Sequence, residues 1–378
     1  MNSKSSLKKE IKNNLNDQGF FVNGKIEPLK YNKQFFKEIQ QQAKKRKLKD
    51  HKNFILNNID KIKNKTIDGC NLIPEKINLK IIEIKPGSKH EKFYKWWNFM
   101  WWSMPYQQAY GRQMRFIIWD EYHDAPFGII GLQSPVLKMS VRDDYLSIPK
   151  EELDVWVNRS MQAQRIGALP PYNDLIGGKM VAMAVASNEI RKAYKEKYSE
   201  RKTIIEKRKL NADLLFITTS SAFGKSSIYN RLNYKDEKVA ISLGFTKGYG
   251  TFQFPRKLYG KISDFLESHG VNTDTSFGSG PSRKIKLLNK AFSLLDLPTF
   301  SQHNIRREYF LFPLASNLKD VIANNISPRY YDRSFNNIFR FWLERWAIPR
   351  SKRVLKWKDF NSHEYINKSI EKFFHDGE

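Results

Sequence analysis

The sequence predicts an α/β (α+β) protein: a mixed central sheet that carries a basic helical N-terminal arm and a C-terminal extension. Three observations carry this reading. The middle of the chain runs hairpin, helix, strand, helix, strand, the succession of a mixed sheet covered by helices. At 378 residues, 40% hydrophobic and 14% aromatic, the chain can bury sizeable cores. Its beginning is polar and basic, with apolar positions spaced by three and four. The expected segments are therefore an arm over 1–75, a core over 76–255 and an extension over 256–378.

In the arm, Phe35, Phe36 and Ile39, then Phe54, Ile55, Ile59 and Ile62, mark amphipathic helices. The run "KKRKLKDHK" between them is either a solvated helix face or a phosphate-contacting patch of Lys44, Lys45, Arg46 and Lys47. Leu79, Ile81 and Ile84 alternate as a strand stopped by Pro86-Gly87. "EKFYKWWNFMWWSMPY" places Trp96, Trp97, Trp101 and Trp102 on a helix packed on both sides, with stacking on bases as the alternative. "QMRFIIWDEYHDAPFGIIGLQSP" reads as a hairpin, and the stretch from Val141 to Gly178 as a long linker. "KMVAMAVASNEIRKAYKEKY" is a single helix by its apolar stripe, "ADLLFITTSS" a strand, "IYNRLNY" a short helix, and "LGFTKGYG" the end of a further strand. Helices and a strand then lead to the basic tail "WAIPRSKRVLKWK", which carries Arg350, Lys352 and Arg353.

Charge narrows the partners. With 66 Lys and Arg against 39 Asp and Glu, the formal charge is +27, and the polyanion suited to such a field is nucleic acid. An AT-rich coding bias toward Lys, Asn and Ile is the bland alternative; Arg and aromatics interleaved with the Lys of the second half favour the nucleic acid. One cysteine, Cys70, rules out an internal disulfide or Cys-based zinc site and suits a reducing cytoplasm. The first twenty residues lack the apolar core of a secretory signal, and no apolar run is long enough for a bilayer, so no membrane partner is expected.

The hairpin "FIIWDEYHDAPFGIIGL", the turn and helix "LIGGKMVAMAVA" and the helix "IYNRLNY" resemble, in that order, the core of the GNAT-type acyltransferases. The resemblance implies a GNAT-like sheet and an acyl-CoA-type donor. Backbone N–H groups of Gly177, Gly178 and Lys179 would cradle its pyrophosphate. Tyr229 would protonate the departing thiolate as an amine attacks the thioester. The family's Gln/Arg-x-x-Gly-x-Gly/Ala signature is present in its first half only, as "QRIGAL", before Pro170-Pro171 intervenes.

A longer resemblance is to the DruA-like proteins of Druantia antiphage systems. "YGRQMRFIIWDEYHDAPFGIIGLQSPVLKMSVRDDYLSI" matches their strand, turn, Gly-rich strand and Arg-Asp pair, here Arg142 and Asp143. Phe223, Tyr229, Arg231, Asn233 and Tyr234 follow their Phe-to-Trp segment with shifted spacing, Tyr234 standing for the Trp. Leu243, Gly244, Thr246, Gly248 and Gly250 fit the Leu-Gly-x-Thr-x-Gly-x-Gly that comes after. This resemblance spans about residues 109–325 and implies a role in antiphage defence beside a large helicase.

Each candidate keeps two readings. Tyr229 is a general acid or packed core, with Arg231 two positions on; Arg142 and Asp143 are functional or a linker ion pair, and on an extended chain they would point apart. Thr246 and Lys247 offer phosphate contacts or sit in a bulged strand end, and Gly177-Gly178 lines a donor or merely starts a helix. His90, His123 and His303 lack metal-ligand spacing, and "AFGKSS" lacks the first glycine of a phosphate-binding Walker loop. Three functions remain in view: transfer of an acyl-type group to a nucleobase amine, a non-catalytic DNA-binding adaptor, and a divergent metal-dependent nuclease.

Overall fold

The computed structural model describes residues 3–105, 111–202, 207–209, 211–250, 252, 254–273 and 283–374. Its strands, in chain order, are β1 (Phe20–Asn23), β2 (Lys25–Pro28), β3 (Leu79–Glu83), β4 (Gln113–Asp120), β5 (Ala125–Gln133), β6 (Ser160–Ala168), β7 (Phe216–Ser220), β8 (Asn233–Tyr234), β9 (Glu237–Lys238), β10 (Ile241–Phe245) and β11 (Glu308–Pro313). Where the sequence reading has three successive segments, packing gives two interleaved units. One joins Met1–Ala43 to Phe245–Arg307, the other Lys44–Gly244 to Glu308–Glu378.

In the first unit, β1 and β2 pair antiparallel across Asn23-Gly24, with Gly24 at φ 65°, where a side chain would be strained. The helix Ser3–Asp17 buries Leu7, Ile11 and Leu15, one apolar residue every fourth position. They join Phe20, Ile26, Phe252, Phe254, and the buried faces of helices Arg256–Ser268 and Arg283–Leu294, in a single apolar cluster.

The second unit holds a seven-stranded sheet in the order β10-β11-β7-β6-β5-β4-β3, the mixed sheet expected. Its neighbours β3-β4, β4-β5, β5-β6 and β7-β11 run antiparallel, and β6-β7 runs parallel. That parallel pairing covers Ser160–Gln162 against Phe216–Thr218, after which β6 continues without β7 as a ladder partner. Alternation along the strands separates two faces. On one, Phe116, Ile118, Ile130, Phe310 and Phe312 pack with helices Gly177–Ala184 and Phe335–Trp342. Under β4 and β5, Ile117, Trp119 and Ile129 of the other face meet Trp96 and Trp97 of helix Glu91–Met100 and Ile366 of helix Ser362–Phe374. Below β7 and β11, Phe216 and Leu311 pack with Leu146 and Trp156.

Two sequence expectations change. The stretch taken as a linker contains β6, a central strand of the sheet. Its alternation of Met161 and Ala163 with Gln162 and Gln164 is short, and Arg165 and Gly167 then break the pattern by which a strand is recognised. The single helix expected after it is two, Gly177–Ala184 and Asn188–Tyr198, because Ser187 adopts an extended backbone between them and Ser-Asn favours a helix start over a helix interior. The Trp cluster is core in its first half: Trp96 and Trp97 are buried in the helix, whereas Trp101 and Trp102 follow its end and are half-buried.

Candidate functional site at the sheet end

The turn after β6 is built to hold the start of helix Gly177–Ala184. Ile176, a β-branched residue, sits at φ 61°, which costs roughly 1–2 kcal/mol and persists only where neighbours fix it. They do so from the C-terminal segment: Trp342 Nε1 donates to the Ile176 carbonyl at 3.2 Å, and Arg350 Nε to the Asp174 carbonyl at 2.6 Å. Gly177 is buried and has no room for a side chain, since a Cβ would stand 2.6 Å from the Tyr172 carbonyl oxygen. Gly178 is less constrained; a Cβ there would meet only the Ile228 Cδ1 at 3.4 Å.

Cations gather at this turn. The Lys179 ammonium lies 4.3 Å from the centre of the Trp346 ring. Burial first, then the charges of Arg231 and Arg345, lower its pKa. None of Lys179, Arg231 and Arg345 has a carboxylate partner among the described residues. The Lys179 backbone N–H is not available as expected, since it donates to the Ile176 carbonyl at 3.0 Å; it is the three cations without an acid that suit a phosphate-bearing ligand.

Tyr229 lies on the same sheet face, in the short helix Ser227–Asn230. Its ring stands edge-on to Phe310 and Phe312, with centroids 5.1 and 5.8 Å away. The half-buried side chain has no hydrogen bond to its hydroxyl among the described residues, and burial raises the phenol pKa, so the proton stays on at neutral pH. The loop that carries it hangs on Glu308, a residue no motif singled out. This buried carboxylate at the start of β11 accepts from the Ser226 backbone N–H at 3.1 Å, from Asn230 Nδ2 at 3.0 Å and from Ser242 Oγ at 2.9 Å. Desolvation would raise its pKa; the bonds from Asn230, Ser226 and Ser242 outweigh it and hold the carboxyl below its ordinary range. In sequence, Glu308 is an acid at the head of an otherwise apolar strand, the only signal that could have found it.

The other predicted residues lie elsewhere. Arg142 and Asp143 are helical, in Ser140–Leu146, and instead of pointing apart they pair with each other at 2.6 Å. Arg142 is fully buried and also donates to the Val136 and Leu137 carbonyls, while Asp143 accepts from the Met139 N–H. Their helix packs through Leu146 on the face opposite Tyr229, so the structure does not bring the two together. Lys44 is not part of a phosphate patch: it is buried, and its ammonium donates to the Met100 and Trp102 carbonyls at 2.7 and 2.8 Å beside the Phe373 ring. Lys45 is half-buried, and Arg46 and Lys47 are exposed. Thr246 sits in the other unit, where its N–H donates to the Arg307 carbonyl and its hydroxyl accepts from the Arg307 N–H; Lys247 beside it is exposed. The glycines Gly248 and Gly250 serve close packing on Asn304 and His303. Thr251, the end of that motif, lies outside the described residues. In the tail, Lys352 and Arg353 are exposed, whereas Arg350 is spent on the Asp174 carbonyl.

The buried Asp120 is satisfied by Tyr172, His123 and the Asn78 N–H, tying the β4–β5 turn to its neighbours. Among the described residues no group of three or more His, Cys, Asp or Glu is placed to hold a metal ion, and no helix is long and apolar enough to cross a membrane.

The fold and this sheet end define a strongly basic α+β protein whose cation cluster has no carboxylate partner among the described residues, suited to meeting anions. Comparison with known proteins gives the family. A family profile described as Druantia protein DruA matches residues 30–325. A curated relative, the Druantia protein DruA of Escherichia coli (strain UMEA 4076-1), is 27% identical over 379 residues, covering 98% of this chain and 94% of the relative. The chain belongs to the DruA family, as its motifs led us to expect of a Druantia-type antiphage defence protein; the match begins well before the residue 109 at which those motifs start. No solved structure matches the chain.

Proposed function

We propose that this DruA-family protein binds DNA and transfers an acyl-type group to a nucleobase amine. The observation that carries the reading is the gathering, at the turn that follows β6, of Lys179, Arg231 and Arg345, which have no carboxylate partner among the described residues, with Tyr229 packed on the same face of the sheet. The donor set suits the phosphates of an acyl-CoA-type cofactor. Gly178 leaves the backbone approachable, and among the described residues the three cations have no acid to neutralise them. Such a cofactor supplies an activated thioester carbonyl.

The chain's own residues do the rest. Lys179, Arg231 and Arg345 hold the phosphates, and the Phe310–Phe312 wall fixes the Tyr229 ring. Tyr229 would hold its proton on the phenol oxygen and act as the acid for the thiolate that such a donor releases. Exposed Lys352, Arg353, Lys356 and Lys358, on the segment whose Arg350 braces the turn, supply DNA phosphate contacts, as do Arg46 and Lys47.

One observation favours a second reading. Gly177 is required by packing alone, so the turn needs no donor to explain it, and the chain would then be a DNA-binding adaptor for a helicase or nuclease partner. Native mass spectrometry of the purified protein, then nucleoside analysis after incubation with DNA and acetyl-CoA, separates the two. A retained donor and an acylated nucleoside, lost in Tyr229→Phe with DNA affinity unchanged, support transfer; DNA binding with no donor in any preparation leaves the adaptor.

A further inference from the structure

The other end of the parallel strands also carries a cleft. Asp213 and Leu214 lead into the N-terminal end of β7, opposite the end that carries the Gly177 turn, and there a cleft of about 490 Å³ opens against the helix Asn188–Tyr198. That volume is within the range that takes a small-molecule ligand. Its acids are already engaged: Glu189 accepts from the Phe335 N–H, and Asp213 meets Lys195 at 3.3 Å and Arg159 at 3.9 Å. Lys192 pairs with Glu196 at 3.9 Å along the exposed helix surface.

Two groups in the cleft are left over. Arg191 has no carboxylate partner among the described residues, and its guanidinium rides over the Tyr330 ring, 3.9 Å from the centroid. The Tyr330 hydroxyl is buried with no hydrogen-bond partner, a condition that costs roughly 1–3 kcal/mol and that an incoming acceptor would relieve. We propose that this cleft binds a phosphate monoester, its phosphate held by the Arg191 guanidinium and the Tyr330 hydroxyl. Arginine offers paired donors matched to phosphate oxygens, and the anion would draw the guanidinium off the ring and uncover the phenol beneath it. Burial, with Asp213 nearby, pushes the phenol up to about 12, so it remains a donor at neutral pH. The remaining space leaves room for the rest of a mononucleotide.

Isothermal titration of the full chain with AMP and with inorganic phosphate, at about 150 mM salt to suppress general attraction to a basic protein, tests this. Saturable one-to-one binding is expected, weakened at least about tenfold in Tyr330→Phe, which leaves the charge unchanged, and again in Arg191→Gln. AMP binding tighter than phosphate identifies a nucleotide as the ligand, and equal affinities identify the phosphate group alone. No saturable binding of either probe, or binding that persists in Arg191→Gln, would overturn the proposal, and Arg191→Gln decides by itself should Tyr330→Phe fail to fold. The titrations are run in the Arg231→Gln/Arg345→Gln background, which removes cations of the Gly177 turn, so that binding there is not mistaken for binding in this cleft and the outcome does not depend on the transfer reaction.

Discussion

The Lys44 ammonium lies where few lysines do, buried beside Phe373 and capping the end of helix Glu91–Met100. Burial, and then the neighbouring Lys372, lowers its pKa to about 7. An unfolded lysine titrates near about 10.4, so between about pH 7 and 10 the folded protein binds fewer protons than the unfolded chain. Stability therefore rises with pH across that window, by an upper bound of roughly 4 kcal/mol. Replacing Lys44 by Met should remove this slope, and thermal melts of the two proteins from pH 6 to pH 10 that rise in parallel would show that it has another source. Tyr229 is the contrasting case. Its hydroxyl bonds to no described residue, so Tyr229→Phe should change stability by less than about 0.5 kcal/mol while lowering transfer by about a hundredfold or more. A melting temperature that falls by several degrees would mark the hydroxyl as structural instead.

At the scale of elements, the site rests on a turn and a loop. Gly177→Ala drives a methyl into the Tyr172 carbonyl and should cost roughly 2–3 kcal/mol, whereas Gly178→Ala, meeting only a flexible isoleucine end, should be nearly neutral by denaturant titration. Equal costs at the two positions would mean that the turn relaxes more freely than its contacts allow. Glu308 ties the Tyr229 loop to β10 and β11, and Glu308→Ala, which strands three donors, should cost about 3 kcal/mol. Its lowered carboxyl adds stability that is full above the ordinary glutamate value of about 4.3 and is lost as pH falls through the folded value below it, so acid unfolding of Glu308→Gln should start from a lower plateau yet show a shallower fall between about pH 5 and 3. The hairpin β4-β5, strands β3 and β7, and the short Tyr229 helix were legible because alternation, apolar runs or turn residues mark them. β6 was not, because its alternation from Met161 to Gln164 is cut short by Arg165 and Gly167. Gly177, Lys179, Tyr229 and Arg231 were legible as separate motifs. Arg345 and Glu308 were not, since they reach the site only through a fold that brings residues more than 70 positions apart together.

For the molecule as a whole, a charge of +27 predicts DNA binding that weakens steeply with salt. Neutralising Lys352 and Arg353 to Gln should reduce the slope of log affinity against log salt by up to about 1.8 if both meet phosphates, and an unchanged slope would place the DNA elsewhere. The family match extends over both units, which points to a role for the first unit as well as for the sheet. That unit has a consequence for biosynthesis. Leu7, Ile11 and Leu15 leave the ribosome more than 200 residues before Phe252, Phe254 and Leu258, which cover them. At about 5–20 residues per second the nascent helix would trail a bare apolar stripe for roughly 10–50 s, long enough for a holdase chaperone to bind it before its own chain can.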